Sequence, residues 1–328
     1  MVSDIPARIT IREVAADAGL SIATVSRALT GARAVTPEIA DRVRESADRL
    51  GYRADSIGRS LRTQRTNTVG LVVPDITNPF FPSLIQAIEH AARAQGLAVL
   101  IADADNDPVI ERAALQTLVD RRVDAVIISP TDRAASLAAL ADTARIVPTV
   151  QIDRVIDTSL PFARVNQSRP VGELVAHLRA TGRRHIVFIG QPTTMATSFE
   201  RETAFTELLR TDYPGEEPRV HSGTISPATV HEAVLKVLER WPDTDAIICA
   251  NDLIGVGVLQ ALRALPNGRH IAVSGFDNTL IAEAMGLTSV RQPVEQLALA
   301  ALTAVFEPSA ETSHVELAST VVYRNSTE

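Results

Sequence analysis

The chain has a single cysteine, Cys249, among 328 residues. No internal disulfide can form, and a lone thiol inside an apolar run reads as a small buried hydrophobe suited to a reducing compartment. Its seven histidines, at positions 90, 177, 185, 221, 231, 270 and 314, nowhere take the spacing of metal ligands. No glycine-rich phosphate loop is present, and Gly255-Val-Gly257 lacks the rest of a dinucleotide fingerprint, so no cofactor is expected. No apolar run reaches the roughly 20 residues that a membrane helix requires. No leader segment precedes Ile5, and a cytoplasmic protein is expected.

What is there begins at Thr10. Thr10 and Glu13 have capping-box spacing, in which each side chain satisfies a free backbone N–H at a helix start. Val14, Ala15 and Ala18 form one apolar helical face, and Gly19 supplies the backbone freedom of a tight turn. Ser21 is expected to cap a second helix with Val25 and Leu29 inward and Ile22, Ala23, Ser26 and Arg27 outward. Gly31 ends it, and Thr36-Pro37-Glu38 opens a third helix with proline at the first position and an acid in the first turn. Three short helices with a small-residue turn between the first two describe a helix-turn-helix, a reader of the DNA major groove. An ordinary helical hairpin packed on something else would look similar over the first two helices.

The next stretch favours DNA. Asp55-Ser-Ile-Gly-Arg59-Ser-Leu61-Arg62-Thr-Gln-Arg65 is amphipathic and dense in arginine. It is too short to hold a helix alone, which makes it a candidate for folding on contact with a partner. Charge divides the same way. The whole chain carries a net of −7, yet residues 1–65 hold eleven arginines against eight acids, a net of +3. The remaining 21 basic and 31 acidic residues leave −10 beyond residue 65. A local basic patch sets the attraction to phosphate, whatever the total.

From residue 68 strand and helix signals alternate. Thr68–Val73, Ala98–Ala102, Ala125–Ser129 and Thr149–Ile152 are short apolar runs of the buried parallel type, with helical periodicity over Pro82–Gln95, Pro108–Arg121 and Ala134–Ala144 between them. The pattern restarts with strands at Ala163–Val165, His185–Gly190, Arg219–Ser222, Ala246–Ala250 and Ile271–Gly275. Helices are expected across Ser168–Thr181, Ser198–Arg210, Pro227–Arg240 and Asn251–Leu265. Two such runs make two doubly wound α/β sheets, with ligands at the carboxyl ends of the strands.

The residues at those strand ends are therefore singled out: Asp75 to Phe81, Ser129 to Asp132, Asp153-Arg154, Arg201, Asn251-Asp252, Asp277-Asn278 and Gln292. Aromatic faces stack on the C–H side of a sugar ring, carboxylates accept hydroxyl protons, and arginine or asparagine donates back. Asp277 and Arg201 are poor core residues unless paired. Phe80 and Phe81 serve a core equally well, and Asp75 and Asp252 read as helix caps.

Thr24-Val25-Ser26-Arg27-Ala28-Leu29, Val35-Thr36-Pro37 and Leu50-Gly51-Tyr52-Arg53 resemble the LacI/GalR family of bacterial transcription regulators, and the resemblance covers essentially the whole chain. It implies DNA contacts from Thr10, Ser21, Ile22, Ala23, Thr24, Ser26, Arg27 and Tyr52, and from a hinge containing Gly58, Arg59 and Leu61. Leu61 matches the leucine that wedges into a central base step. Gly58, Ala54 and Asp55 stand where the family has alanine, proline and asparagine. Glycine in a helix costs up to about 1 kcal/mol against alanine, so a looser hinge helix is expected. The resemblance also implies a two-lobed periplasmic-binding-protein-like fold with three crossovers near residues 163, 291 and 322. Asn78, Phe80, Phe81, Asp132, Arg201, Asn251, Asp277 and Gln292 match in motif and order the sugar contacts of ribose-binding relatives, and Asp153 and Arg154 join them. An aromatic residue expected after Arg219–Ser222 is missing, with Thr224-Ile225 in its place.

The expectation is a small all-α DNA reader at 8–53, a hinge and linker at 54–66, and an effector domain at 67–328. Its lobes would be 67–163 plus 292–321, and 164–291 plus 322–328. The function expected is a repressor binding a palindromic operator as a homodimer, controlled by a pentose-like sugar. A hexose, polyol, nucleoside or purine remains open as the effector. So does a sugar-binding transport protein, or a sugar-acting enzyme using Asp277 and Asp132.

Overall fold

The computed structural model describes residues 9–30, 35–52, 65–265 and 270–328. Two compact units meet at Thr66 and Asn67. The first contains α1 (Ile11–Ala18), α2 (Ile22–Thr30) and α3 (Pro37–Leu50). Val14, Ala15, Val25, Val43 and Ala47 form its buried core. Gly19 closes α1 in the left-handed region (φ 61°), which glycine enters without steric cost. So small a core is braced by polar contacts. Ser46 and Arg49 of α3 both donate to the Asp17 carboxylate at 2.6 Å, and Arg42 donates to the Ala18 carbonyl at 2.8 Å.

The second unit holds two six-stranded sheets. Its strands are β1 (Thr68–Val73), β2 (Ala98–Asp103), β3 (Ala125–Ile128), β4 (Thr149–Ile152), β5 (Phe162–Val165), β6 (Ile186–Gly190), β7 (Arg219–Ser222), β8 (Ala246–Cys249), β9 (Ala272–Asp277), β10 (Thr288–Arg291), β11 (His314–Leu317) and β12 (Thr320–Val322). The first sheet runs β11-β5-β4-β3-β1-β2 and the second β12-β10-β9-β8-β6-β7. All pairings are parallel except β10 with β12. The helices between them are α4 (Phe80–Ala94), α5 (Pro108–Asp120), α6 (Leu137–Ala144), α7 (Ser168–Ala180), α8 (Ala196–Asp212), α9 (Val230–Arg240), α10 (Asp252–Arg263), α11 (Leu280–Ala284) and α12 (Val294–Phe306).

Parallel strands covered on both faces must be apolar at consecutive positions, and β1 shows why. Val69, Leu71 and Val73 pack toward α4 and α12, whereas Val72 packs toward α5 and α6. Gly70 lets α5 approach: a Cβ there would lie 2.6 Å from a Leu118 methyl.

Ala163–Val165 does not begin the second sheet. Together with Phe162 it forms β5, between β4 and β11 of the first, with Ile152 opposite Ala163 and His314 opposite Phe162. An apolar run reports that a strand is buried, not which sheet it joins. The chain leaves the first lobe after Val165, returns between Arg291 and Val294, and β12 is back in the second sheet from Thr320.

Candidate functional site

In the helical unit, the Thr10 hydroxyl accepts the Glu13 N–H and the Glu13 carboxylate accepts the Thr10 N–H at 2.6 Å, completing the capping box. The Ser21 hydroxyl accepts the Thr24 N–H at 3.1 Å at the start of α2. Ile22 is 46% exposed, Ala23 and Arg27 are exposed, and Thr24 and Ser26 are half-buried. Arg27 lies along its own helix, its Nε donating to the Ala23 carbonyl at 3.1 Å. Tyr52 packs against the helical core. Gly58, Arg59 and Leu61 lie outside the described residues, as does Gly31.

In the second unit the carboxyl ends of β1, β2 and β4 face those of β6 to β9 across a cleft of about 620 Å³. Asn78, Phe80, Phe81, Asp153, Arg154, Arg201, Asn251 and Asp277 all line it. Asp132 and Gln292 do not. Asp132 accepts the Ala134 and Ala135 N–H groups at 2.8 Å each. Desolvation works against its charge, but those two donors, the Thr194 side chain and the Arg133 guanidinium together hold the carboxyl below its ordinary range. Gln292 sits behind the wall, donating to Asp277 at 2.8 Å from the return crossover.

Arg201, in the second turn of α8, is 5% exposed. Its Nε donates to the Gln167 side chain at 2.8 Å, its Nη1 to the Ala250 carbonyl at 2.5 Å, and its guanidinium lies 3.5 Å from the Phe276 ring centroid. Gln167 has no signal in the sequence, because it works from the far side of the arginine. Arg154 donates weakly to Pro130 and Thr131 carbonyls and sits 5.6 Å from the Phe81 ring. Burial pushes both arginines below their ordinary pKa, against the attraction of Asp277 and Asp153. The same burial pushes the Asp153 and Asp277 carboxyls up. Asp153 Oδ1, Arg154 Nε and Gln292 Oε1 are buried without a hydrogen-bond partner. Buried polar groups are rarely left so, and such clusters mark binding sites.

Two expectations about caps are corrected. Asp252 caps nothing: Asn251 is the cap, its Oδ1 accepting the Ile254 N–H at 2.9 Å. Asp252 instead accepts from Thr279 N, Thr279 Oγ1 and Ser289 Oγ, which ties α10 to the loop after β9 and to β10. Asp75 turns its own loop by accepting from Thr77, while Asn78 accepts the Phe80 N–H at 3.1 Å as α4 begins. Both asparagines spend their oxygens on helix starts, which leaves each NH2 to donate. Thr224 and Ile225 line the cleft where an aromatic ring was expected. Asn106, Gln191, Thr194, Met195, Ser198 and Ser226 also line it; only their places after strand ends could have found them.

Among the described residues no helix is long and apolar enough to cross a membrane. Residues 66–319 match the model for periplasmic binding proteins and the sugar binding domain of the LacI family, and residues 10–55 match that for bacterial regulatory proteins of the lacI family. The chain is 32% identical to the HTH-type transcriptional regulator AscG of Escherichia coli over 88% of each sequence. It is 29% identical to the ribose operon repressor of Halalkalibacterium halodurans, over 88% of this chain and 86% of that one. A crystal structure of the lac repressor dimer bound to operator and an anti-inducer superposes with a TM-score of 0.87, covering 98% of this chain and 99% of that one at 21% identity.

Proposed function

We propose, since this chain belongs to the LacI family of bacterial regulatory proteins, that it is a repressor which binds a palindromic operator as a homodimer and answers to a pentose-like sugar. Membership makes it a ligand-responsive transcriptional regulator and not an enzyme. The reader spans residues 8–53 and the hinge 54–66, with the two-lobed effector domain beyond.

The sugar reading is carried by one observation: Asp153, Arg154, Arg201 and Asp277 line a single cleft as two acids and two cations, all strongly desolvated, beside Phe80 and Phe81. Such a cluster costs free energy unless its spare donors and acceptors are used. A polyhydroxylated ring uses both kinds and gives the two rings an apolar face. The name of the Halalkalibacterium relative agrees with a pentose.

The DNA reading rests on the outer face of α2, where Ile22, Ala23 and Arg27 are exposed over a Ser21 cap. Arginine grips guanine bidentately, and the small apolar residues suit a thymine methyl. Leu61 would enter the minor groove from the hinge. The homodimer is supported by an apolar edge on the first lobe: Leu100 and Ile101 on β2 and Val109 and Ile110 on α5 are 37%, 48%, 74% and 42% exposed. A DNA partner and a buried thiol suit the cytoplasm.

The test is selection of DNA sites from a random pool, followed by titration of the selected site with and without D-ribose. A two-fold symmetric motif whose affinity changes with ribose is expected. An asymmetric motif, or indifference to every pentose, hexose and polyol, would overturn the proposal.

A further inference from the structure

We propose that Gln167 is a positioning residue for the effector arginine: from the first crossover it ties Arg201 to the end of β5, so that the crossover and the arginine turn as one piece. This rests on the sugar reading above in taking Arg201 to meet the effector; the tie itself is a property of the ligand-free chain.

Gln167 is buried, stands two residues beyond the end of β5 and immediately precedes α7. Its side chain does not cap that helix. Its amide works in two other directions instead. Nε2 donates to the Val165 carbonyl at 3.1 Å, and Oε1 accepts from Arg201 Nε at 2.8 Å. The two ends of the amide cannot be exchanged, because a flipped group would set its NH2 against a guanidinium N–H and its oxygen against a carbonyl. Val165 ends β5 in the first lobe, whereas α8 packs on α7 and β6 in the second. One glutamine amide therefore joins the lobes at the crossover.

A second tie runs beside it. Arg164 precedes Val165 on β5, and Glu200 precedes Arg201 on α8. Arg164 is fixed to the first lobe by Glu316 of β11, which its Nε and Nη2 reach at 2.9 and 2.8 Å. Its Nη1 is left to donate to Glu200 at 3.2 Å. Consecutive residues at the end of β5 thus hold consecutive residues of α8.

The rest of Arg201 belongs to the second lobe. Its Nη1 donates to the Ala250 carbonyl after β8, and its guanidinium lies on the Phe276 ring of β9. Nη2 has no hydrogen-bond partner among the described residues and is the part left for a ligand in the cleft. A change of lobe angle at the first crossover must then either turn Arg201 or break its bond to Gln167. Breaking it leaves a buried donor unpaired, so turning is the cheaper course. A ligand that holds the arginine from the cleft restrains the crossover through the same bond. That is a coupling through a contiguous polar network.

Two variants separate the halves of the tie. Gln167→Glu keeps an acceptor for Arg201 and loses the NH2 that serves Val165; Gln167→Met keeps the length and loses both. Amide hydrogen exchange is measured on the ligand-free, full-length protein. In Gln167→Met, residues 201–207 of α8 are expected to exchange about fivefold faster or more, with residues 256–262 of α10 unchanged. In Gln167→Glu, α8 should keep its wild-type rates while residues 166–171 at the crossover exchange faster. The wild type is then screened by thermal unfolding with D-ribose, D-xylose, D-glucose and ribitol. For any that stabilise it, Gln167→Met should weaken affinity roughly tenfold. Gln167→Glu should bind the same sugar as the wild type does, while the factor by which the sugar changes operator affinity falls toward one. Wild-type exchange in α8 of Gln167→Met, or faster exchange in every segment alike, overturns the tie. A wild-type operator response in Gln167→Glu also overturns it. If no sugar stabilises the wild type, the sugar reading falls, and the exchange rates alone decide the tie.

Discussion

The guanidinium of Arg133 lies 3.6 Å from the centroid of the Phe199 ring, and this contact joins the loop after β3 in one lobe to the first turn of α8 in the other. The Arg133 N–H also donates to the Thr194 carbonyl at 2.7 Å, and its Nη1 to that of Thr193 at 3.4 Å. These bonds bridge the cleft through loops beyond the strand ends, away from the crossovers.

Arg133→Ala removes the cation–ring contact while the backbone bond to Thr194 remains. Exposed contacts of this type contribute about 0.5–1 kcal/mol, so effector affinity is expected to fall two- to fivefold. Phe199→Ala should cost the same, and the double variant no more than either alone. Calorimetric titration of all four proteins checks this; fully additive losses would mean that the two residues do not act as a pair.

Asp277→Asn and Arg201→Ala should each uncouple effector from DNA. A buried group left without its partner costs about 1–3 kcal/mol, which corresponds to a five- to hundredfold weaker effector. Arg201→Ala should also lower the thermal midpoint more, since Gln167 and the Ala250 carbonyl lose their donor. Affinity for operator without effector should be unchanged for Asp277→Asn. A wild-type effector response in either variant, measured by DNA titration, would remove these residues from the site.

Arg27→Ala should relax base preference by about 1–3 kcal/mol at one position of each half-site. The side chain must first leave the Ala23 carbonyl, so its bond to guanine replaces an existing one. Site selection with the variant tests this, and an unchanged motif would reassign specificity to its neighbours on α2.

Stability should depend on pH through Asp252. Burial raises its carboxyl from 3.8 to about 6, against the hydrogen bonds from Ser289 and Thr279. The folded chain therefore binds more protons than the unfolded one between those values, and stability falls as pH rises through that window. The difference is on the order of 3 kcal/mol from this carboxyl. Asp153 and Asp277, also raised, act in the same direction. The thermal midpoint of the wild type relative to that of Asp252→Asn should decline from pH 3.5 to 7. An equal slope in the variant would assign it elsewhere.

Legibility followed local chemistry. Thr68–Val73 and Thr149–Ile152 are strands with the expected bounds, because apolar runs leave few other choices; Arg219–Ser222 also has them, although Val220 is its one apolar residue. β10, β11 and β12 were not foreseen. They are four, four and three residues long, and β11 alternates between exposed and half-buried, so little apolar signal marks them. α12 was missed for the opposite reason: Leu297, Ala298, Ala301, Leu302, Ala304 and Val305 bury most of its circumference, which blurs helical periodicity. In the cleft, charged residues stood out because charge at a strand end is conspicuous. Thr194, Met195 and Ser226 did not, since neutral residues there resemble any loop. Asp132 matches by motif, but its carboxylate accepts from its own turn and from the Thr194 side chain.

The three crossings between lobes have a consequence for how the chain can be cut. α12 covers one face of β3, β4 and β5 yet follows all of the second lobe except β12 and the residues after it, so neither lobe is a contiguous segment. A protease clip at any one crossing leaves two covalent ties, and the nicked lobes should travel together until denatured. A stop codon just before Val294 is different in kind. It would strip Leu297, Ala301 and Leu302 from the first lobe's core and remove β12 from the second, damaging both lobes with one deletion.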